Sequence, residues 1–223
     1  MFKPSPTPFI LAAEGRHIAT TIFLHGLGDQ GDGWGSVFQH EARVPGMKYI
    51  CPSSASRPVT LNMGMKMPAW YDLKGLSPDV PEDDEGIEAA KKLVHTIIDK
   101  EIAAGIPANR IVLGGFSMGG ALALYAGITY PQKLAGIVSL SGFLIQRSKL
   151  PGNHHANLNT ATLLCHGSDD PLVPLSYGQL THTLLKTFMP NTQFKLYPGL
   201  GHSSSAAELN DLRNFLINNA CMD

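Results

Sequence analysis

The run Arg110-Ile111-Val112-Leu113-Gly114-Gly115-Phe116-Ser117-Met118-Gly119-Gly120-Ala121-Leu122-Ala123-Leu124 decides how this chain folds. Ile111 to Leu113 are apolar without alternation, as in a strand buried on both faces of a parallel sheet. Small residues and leucines after Ser117 read as a helix. Between the two lies G-x-S-x-G, Gly115 to Gly119. The turn has to be sharp enough to lift the serine Oγ above the sheet, and the glycines let strand and helix approach without Cβ clashes. Ser117 then stands at a helix N-terminus, where unpaired N–H groups favour developing negative charge. The Met118 N–H is a natural donor to an oxyanion. A glycine-rich packing turn with a capping serine would share the motif; the buried strand entering it and the helix leaving it argue for a nucleophile.

Outward from this turn, short aliphatic runs alternate with helix-period segments. Thr20–Leu24, Arg110–Leu113, Ala135–Leu140, Ala161–Cys165 and Gln193–Tyr197 read as strands. Ile87, Ala90, Val94, Ile97, Ile98 and Ile102 form an apolar stripe at helical spacing. Tyr177, Leu180, Leu184 and Phe188 form a second, and Leu209, Leu212, Phe215 and Leu216 a third, with Ser205-Ala206-Ala207-Glu208 as its capping box. The alternation predicts one α/β domain over residues 1–223, a mostly parallel central sheet with helices on both faces. Loops at the carboxyl ends of its strands should carry the chemistry.

An α/β-hydrolase site takes its groups in the order serine, acid, histidine. From Met118 to Ala207 the only acidic residues are Asp169 and Asp170, just after the strand ending at Cys165. Asp170 is preferred because Pro171 keeps its backbone extended; Asp169 is its rival, and a turn built by both is the plain alternative. Only two histidines follow. His182 sits inside a helical pattern opposite its apolar stripe and should be solvated. His202, in a loop after a strand, is the better base, with the carboxylate fixing its tautomer.

The second oxyanion donor is expected from Phe23-Leu24-His25-Gly26-Leu27-Gly28-Asp29, and the Leu27 N–H is the choice. His25 reads as structural. No H-E-x-x-H or C-x-x-C spacing appears, so neither metal nor other cofactor is expected, and His154-His155 should be a solvated pair.

Length allows one large domain with a substantial core. A hydrophobic share of 43% and a charged share of 16% exclude a disordered or fibrous chain, and a net charge of −1 gives no reason to expect nucleic acid. No stretch is long and apolar enough to span a membrane. Met1 to Ala13 lack a secretory pattern. Three scattered cysteines, Cys51, Cys165 and Cys221, point to reduced thiols in the cytoplasm.

With His25-Gly26-Leu27-Gly28-Asp29, Gly114-Gly115-Phe116-Ser117 and His166-Gly167-Ser168-Asp169-Asp170-Pro171-Leu172-Val173-Pro174 in view, the chain resembles the acyl-protein thioesterases, a lysophospholipase-like branch of the α/β-hydrolases. Further motifs extend the likeness over nearly the whole length: Tyr49-Ile50-Cys51-Pro52, Arg57 to Met63, Met67 to Asp72 and Gly75-Leu76-Ser77-Pro78-Asp79. The resemblance implies a Ser117, Asp170, His202 triad with Leu27 and Met118 as oxyanion donors. It also implies hydrolysis of long-chain acyl thioesters on protein cysteines, of lysophospholipids and of small esters. Two features depart from the family. Many members carry glutamine where this chain has Met118, and the first cysteine is Cys51, so the N-terminal lipid anchor of some relatives is not expected.

Residues 57–81 show no clear period yet hold Leu61, Met63, Met65, Met67, Trp70 and Leu76. Long segments of this kind are often lids, and methionines suit a channel for a flexible alkyl chain. These six residues and Phe143 are the expected acyl-binding set; a loop packed on the core is the alternative. S-acylated proteins or acyl lipids are the expected partners, with transient contact at a membrane surface. A lysophospholipase or general carboxylesterase would share the machinery. A non-catalytic receptor of the same fold and a purely structural interaction protein are the remaining alternatives.

Overall fold

The computed structural model describes residues 6–77 and 79–221; Met1 to Ser5 and Pro78 of the Gly75–Asp79 motif lie outside the described residues. In chain order the elements are β1 (Phe9–Leu11), β2 (Ala19–Leu24), α1 (Gly31–His40), β3 (Met47–Cys51), β4 (Ser56–Val59) and β5 (Met65–Pro68). Then come α2 (Asp84–Ala103), β6 (Ile111–Phe116), α3 (Met118–Thr129), β7 (Gly136–Leu140) and β8 (Ala161–Gly167). The chain continues with α4 (Leu175–Lys186), β9 (Thr192–Tyr197) and α5 (Ala206–Leu216).

Seven strands form one sheet in the order β1-β3-β2-β6-β7-β8-β9. Every pair is parallel except β1 with β3. β6 and β7 lie inside the sheet and are buried almost throughout, which is why their sequences do not alternate. Alternate residues still choose opposite faces. Ile22, Leu113, Ile137 and Leu164 join a core with residues of α2, α3 and α4, whereas Phe23, Val112, Val138 and Leu163 join another with residues of α1 and α5. All of α3 is buried, so it lacks a polar face and its sequence carries no amphipathic stripe.

Two details differ from the sequence reading. Residues 57–81 open on a β4–β5 hairpin, paired from Ser56 with Pro68 to Val59 with Met65. Its period is masked by Pro58 and by side chains that stand off the core. On α4 the buried face is Gly178, Thr181 and Leu185, one residue round from the stripe of Tyr177, Leu180 and Leu184. His182 therefore lies at the edge of the buried face, its ring 5.5 Å from that of Phe194, rather than in solvent.

Candidate active site

β6 ends at Phe116 and α3 begins at Met118, so a single residue makes the whole turn. Ser117 does so with φ 54° and ψ −120°, a conformation costly for any residue with a Cβ. Its N–H is held by the Leu140 carbonyl at 2.8 Å and its carbonyl receives Ala121 N–H at 2.9 Å. The strain is sustained because β7 and α3 grip the residue from both sides.

The serine hydroxyl donates to His202 Nε2 at 3.0 Å, and His202 Nδ1–H donates to Asp170 Oδ2 at 2.7 Å. The Asp170 carboxylate is fully buried, and its second oxygen accepts N–H groups from Leu172 and Val173, both at 2.9 Å. Those bonds offset the cost of burying a charge. Asp169 is exposed and turns the other way, accepting the Ser168 hydroxyl. His202 packs against Phe116, 4.8 Å between ring centroids and tilted by 49°, which restricts the imidazole. The order from alcohol through imidazole to carboxylate suits abstraction of the serine proton and stabilisation of the imidazolium that results.

Gly26 lies directly on the nucleophile: a Cβ built there would stand 3.4 Å from the Ser117 Cβ. His25, also buried, sits behind it. Its Nδ1–H donates to Gly26 O at 2.6 Å, and its Nε2 accepts Ser54 N–H at 3.0 Å. Burial pushes its pKa down, so the ring is neutral with the proton on Nδ1. A peptide unit is planar and trans, so anchoring the Gly26 carbonyl turns the Leu27 N–H to the opposite side. Met118 N–H, in the first turn of α3, has no acceptor within its own helix. Both proposed oxyanion donors thus belong to backbone that cannot rotate freely.

His166, in β8, opens the motif that holds Asp170, but the sequence gives it no role of its own. It is buried, its Nε2–H donates to Val173 O at 2.8 Å, and the same nitrogen lies 3.6 Å from Asp170 Oδ2. It braces the turn that presents the acid. Glu208, from the capping box, is a second surprise. Ser205 caps α5 by accepting Glu208 N–H at 3.2 Å, but the Glu208 carboxyl is buried with neither oxygen hydrogen-bonded. Burial, and then the charge of Asp211, push it up to about 8. Among the described residues no three His, Cys, Asp or Glu side chains cluster as metal ligands do.

A cavity of about 430 Å³ opens between residues 71–84, 143–149 and α4, and none of Ser117, Asp170, His202, Leu27 or Met118 lines it. Leu73, Leu76, Phe143, Tyr177, Leu180 and Leu184 supply its apolar walls. Of the expected acyl-binding residues it takes in Leu76 and Phe143. Trp70 is buried instead against His25, its Nε1–H donating to His25 O at 2.9 Å. Met67 is half-buried in the hairpin, where its sulfur accepts from Asn62. Leu61, Met63 and Met65 project from the hairpin into solvent. The stripe of Tyr177, Leu180 and Leu184, legible in the sequence as a helix face, marks one wall of the cavity rather than the core contact of α4.

The chain matches the phospholipase/carboxylesterase family over residues 5–220. It is 42% identical to acyl-protein thioesterase 1 of Neurospora crassa over 94% of this chain and 90% of that protein. It is also 42% identical to acyl-protein thioesterase 1 of Gibberella zeae, over 94% of each. The crystal structure of Zea mays acyl-protein thioesterase 2 superposes with a TM-score of 0.86 at 34% identity, covering 96% of this chain and 98% of that one. Fold, sequence and the serine turn agree, and the chain is a serine hydrolase belonging to the phospholipase/carboxylesterase family of α/β-hydrolases, alongside the acyl-protein thioesterases.

Proposed function

We propose that this enzyme removes long acyl chains from protein cysteines through an acyl-enzyme on Ser117. The observation that carries the reading is the unbroken hydrogen-bonded series from Ser117 through His202 to Asp170. His202 Nε2 takes the hydroxyl proton as Oγ attacks the thioester carbonyl. Leu27 and Met118 N–H groups receive the oxyanion, and the imidazolium returns its proton to the departing cysteine sulfur. Water, deprotonated by the same imidazole, then attacks the acyl-serine and releases the fatty acid. Asp170 Oδ2 accepts from His202 Nδ1–H and keeps the ring in that tautomer.

The cavity is the seat of the acyl chain in this reading. Its volume falls in the range of ligand pockets, and Phe143 in its lining follows by three residues Leu140, whose carbonyl holds Ser117 N–H. The hairpin tip meets the lipid surface where such substrates reside. Met63 is 89% exposed there, flanked by the exposed Leu61 and Met65, an apolar cluster left open to solvent among the described residues. No helix of the described residues is long and apolar enough to cross a membrane, so contact would be peripheral. Free cysteines, two of them buried, support a reducing cytoplasmic setting.

The matched family takes its name from phospholipases and carboxylesterases, and the same triad serves oxygen esters. Comparing kcat/KM on an S-palmitoylated peptide, a lysophospholipid and a short-chain ester, each with Ser117→Ala as blank, decides between them. Selective turnover of the lysophospholipid would replace the thioesterase reading.

A further inference from the structure

His202 hangs between two anchors. Upstream, Gly199 N–H donates to Ser168 Oγ at 2.8 Å and Leu200 O accepts Asp169 N–H at 3.0 Å, which ties the loop to the turn carrying the acid. Downstream, the chain enters α5 at Ser205, whose carbonyl accepts Leu209 N–H at 2.9 Å and whose hydroxyl accepts Glu208 N–H at 3.2 Å. Between the anchors the bonds of Ser203 stay local, its N–H donating to Gly201 O at 2.9 Å and its hydroxyl to Ser204 O at 3.5 Å. The imidazole is only as well placed as the two ends of this segment.

The upstream anchor is made of hydrogen bonds; the downstream one is seated by burial. Leu209 and Leu212 enter the core, and the Glu208 side chain goes with them, fully buried and with neither oxygen bonded. A carboxyl without donors is stable there only as the neutral acid. The charge that acts on it has its own sign. Asp211 lies nearly one turn further along α5, and Lys195 of β9 is taken up by Asp211 at 2.6 Å. Cys165 of β8 also acts on Glu208; burial pushes that thiol up, so it stays neutral. Behind Cys165, at 3.5 Å, is the Tyr197 hydroxyl of β9, which donates to Asp211 Oδ2 at 2.9 Å. The α5 dipole favours an anion at this end, but burial and Asp211 outweigh it. An ionised Glu208 has to reach water, and it can do so by lifting the first turn of its helix.

We propose that uncharged Glu208 is a positioning residue for His202: it seats the first turn of α5, and when it gives up its proton the turn lifts and draws the imidazole away from Ser117. The inference rests on the reading of Ser117, His202 and Asp170 given above. Glu208 touches no substrate; a single proton passes from it to solvent. The neutral, seated form prevails below about pH 8 and is lost as pH rises through that value. Turnover should then fall about tenfold for each further pH unit, as a single ionisation dictates.

The test is kcat on a short-chain ester from about pH 6.5 to about pH 9.5, with Ser117→Ala as blank and circular dichroism at each pH. Wild type should lose roughly tenfold or more across that range through one ionisation while keeping its ellipticity. Glu208→Gln keeps the shape but has no proton to lose, so its ratio of alkaline to neutral turnover should stay near one. Glu208→Met fills the same space and should give the same flat profile, so the outcome does not hang on one variant folding. A merely structural role for Glu208 would shift Tm in the variants and leave the alkaline limb in place. A flat wild-type profile, a limb that persists in both variants, or a wild-type loss that coincides with unfolding overturns the proposal and leaves the triad standing. Undiminished turnover by His202→Ala would overturn the triad, and this inference with it.

Discussion

His25 Nδ1 and the Gly26 carbonyl oxygen lie 2.6 Å apart, and that bond sets the direction of the next N–H along the chain, that of Leu27. His25 makes no contact with the proposed triad through a hydrogen bond of its own; its influence passes through a rigid peptide plane. His25→Ala should lower kcat roughly 100-fold with KM little moved, because an oxyanion donor acts chiefly in the transition state. The rates would be normalised by active-site titration, so that loss of folded protein is not mistaken for loss of chemistry. An equal rise in KM with kcat preserved would contradict this role.

The two neighbouring aspartates should separate cleanly. Asp170→Asn keeps the shape but presents the wrong hydrogen-bonding group to His202, and kcat should fall about 10,000-fold. Asp169→Asn, at an exposed residue bonded to Ser168, should stay within roughly threefold of wild type. Comparable losses in the two variants would show that the acid has been misassigned.

Gly119 allows the least freedom of the glycines in the serine turn. A Cβ there would collide with the backbone carbonyls of Leu24 and His25, which cannot swing aside. Gly119→Ala should cost about 3 kcal/mol in urea unfolding. Gly28, with φ 82° and open space around it, should lose only about 1 kcal/mol on the same change. Similar midpoints for the two variants would refute the steric account.

Glu208 makes stability depend on pH. Folded, it keeps its proton to about pH 8; unfolded, it ionises near the ordinary value of 4.5. Between these values the folded chain binds the extra proton. The stability this supplies is complete below 4.5 and is lost as pH rises to about 8. Glu208→Gln cannot ionise, so its Tm should gain on wild type by several degrees between pH 5 and pH 8. A Tm difference that stays constant across that window would mean Glu208 does not titrate as described.

Met63→Asp should abolish co-sedimentation with phospholipid vesicles by putting a charge at the exposed hairpin tip. Undiminished vesicle binding would move the membrane contact elsewhere on the surface.

The strands around Ser117 were readable because burial on both faces writes an unbroken apolar run, and their ends fall within a few residues of those expected. α1 was not. Gly31, Gly33 and Gly35 make it a poor helix by propensity, and two of them are there because β3 and β1 press against it: a Cβ on Gly31 would strike the Cys51 carbonyl and one on Gly35 would enter the Phe9 ring. The catalytic candidates were legible because so few acids and histidines follow Ser117 in the chain. The cavity was not, since its walls come from segments far apart in sequence, and a methionine run looks the same whether it lines a pocket or projects from a hairpin.

Ser117 and His202 stand 85 positions apart, at the exits of β6 and β9, with β7 and β8 between them in the sheet. During synthesis the ribosome therefore releases an alcohol long before it releases the imidazole that would activate it. On the proposed triad, a nascent chain cannot attack an ester or thioester until its last strand has docked. Ester hydrolysis in a translation mixture is accordingly a clock for completion of the sheet, started only by finished molecules.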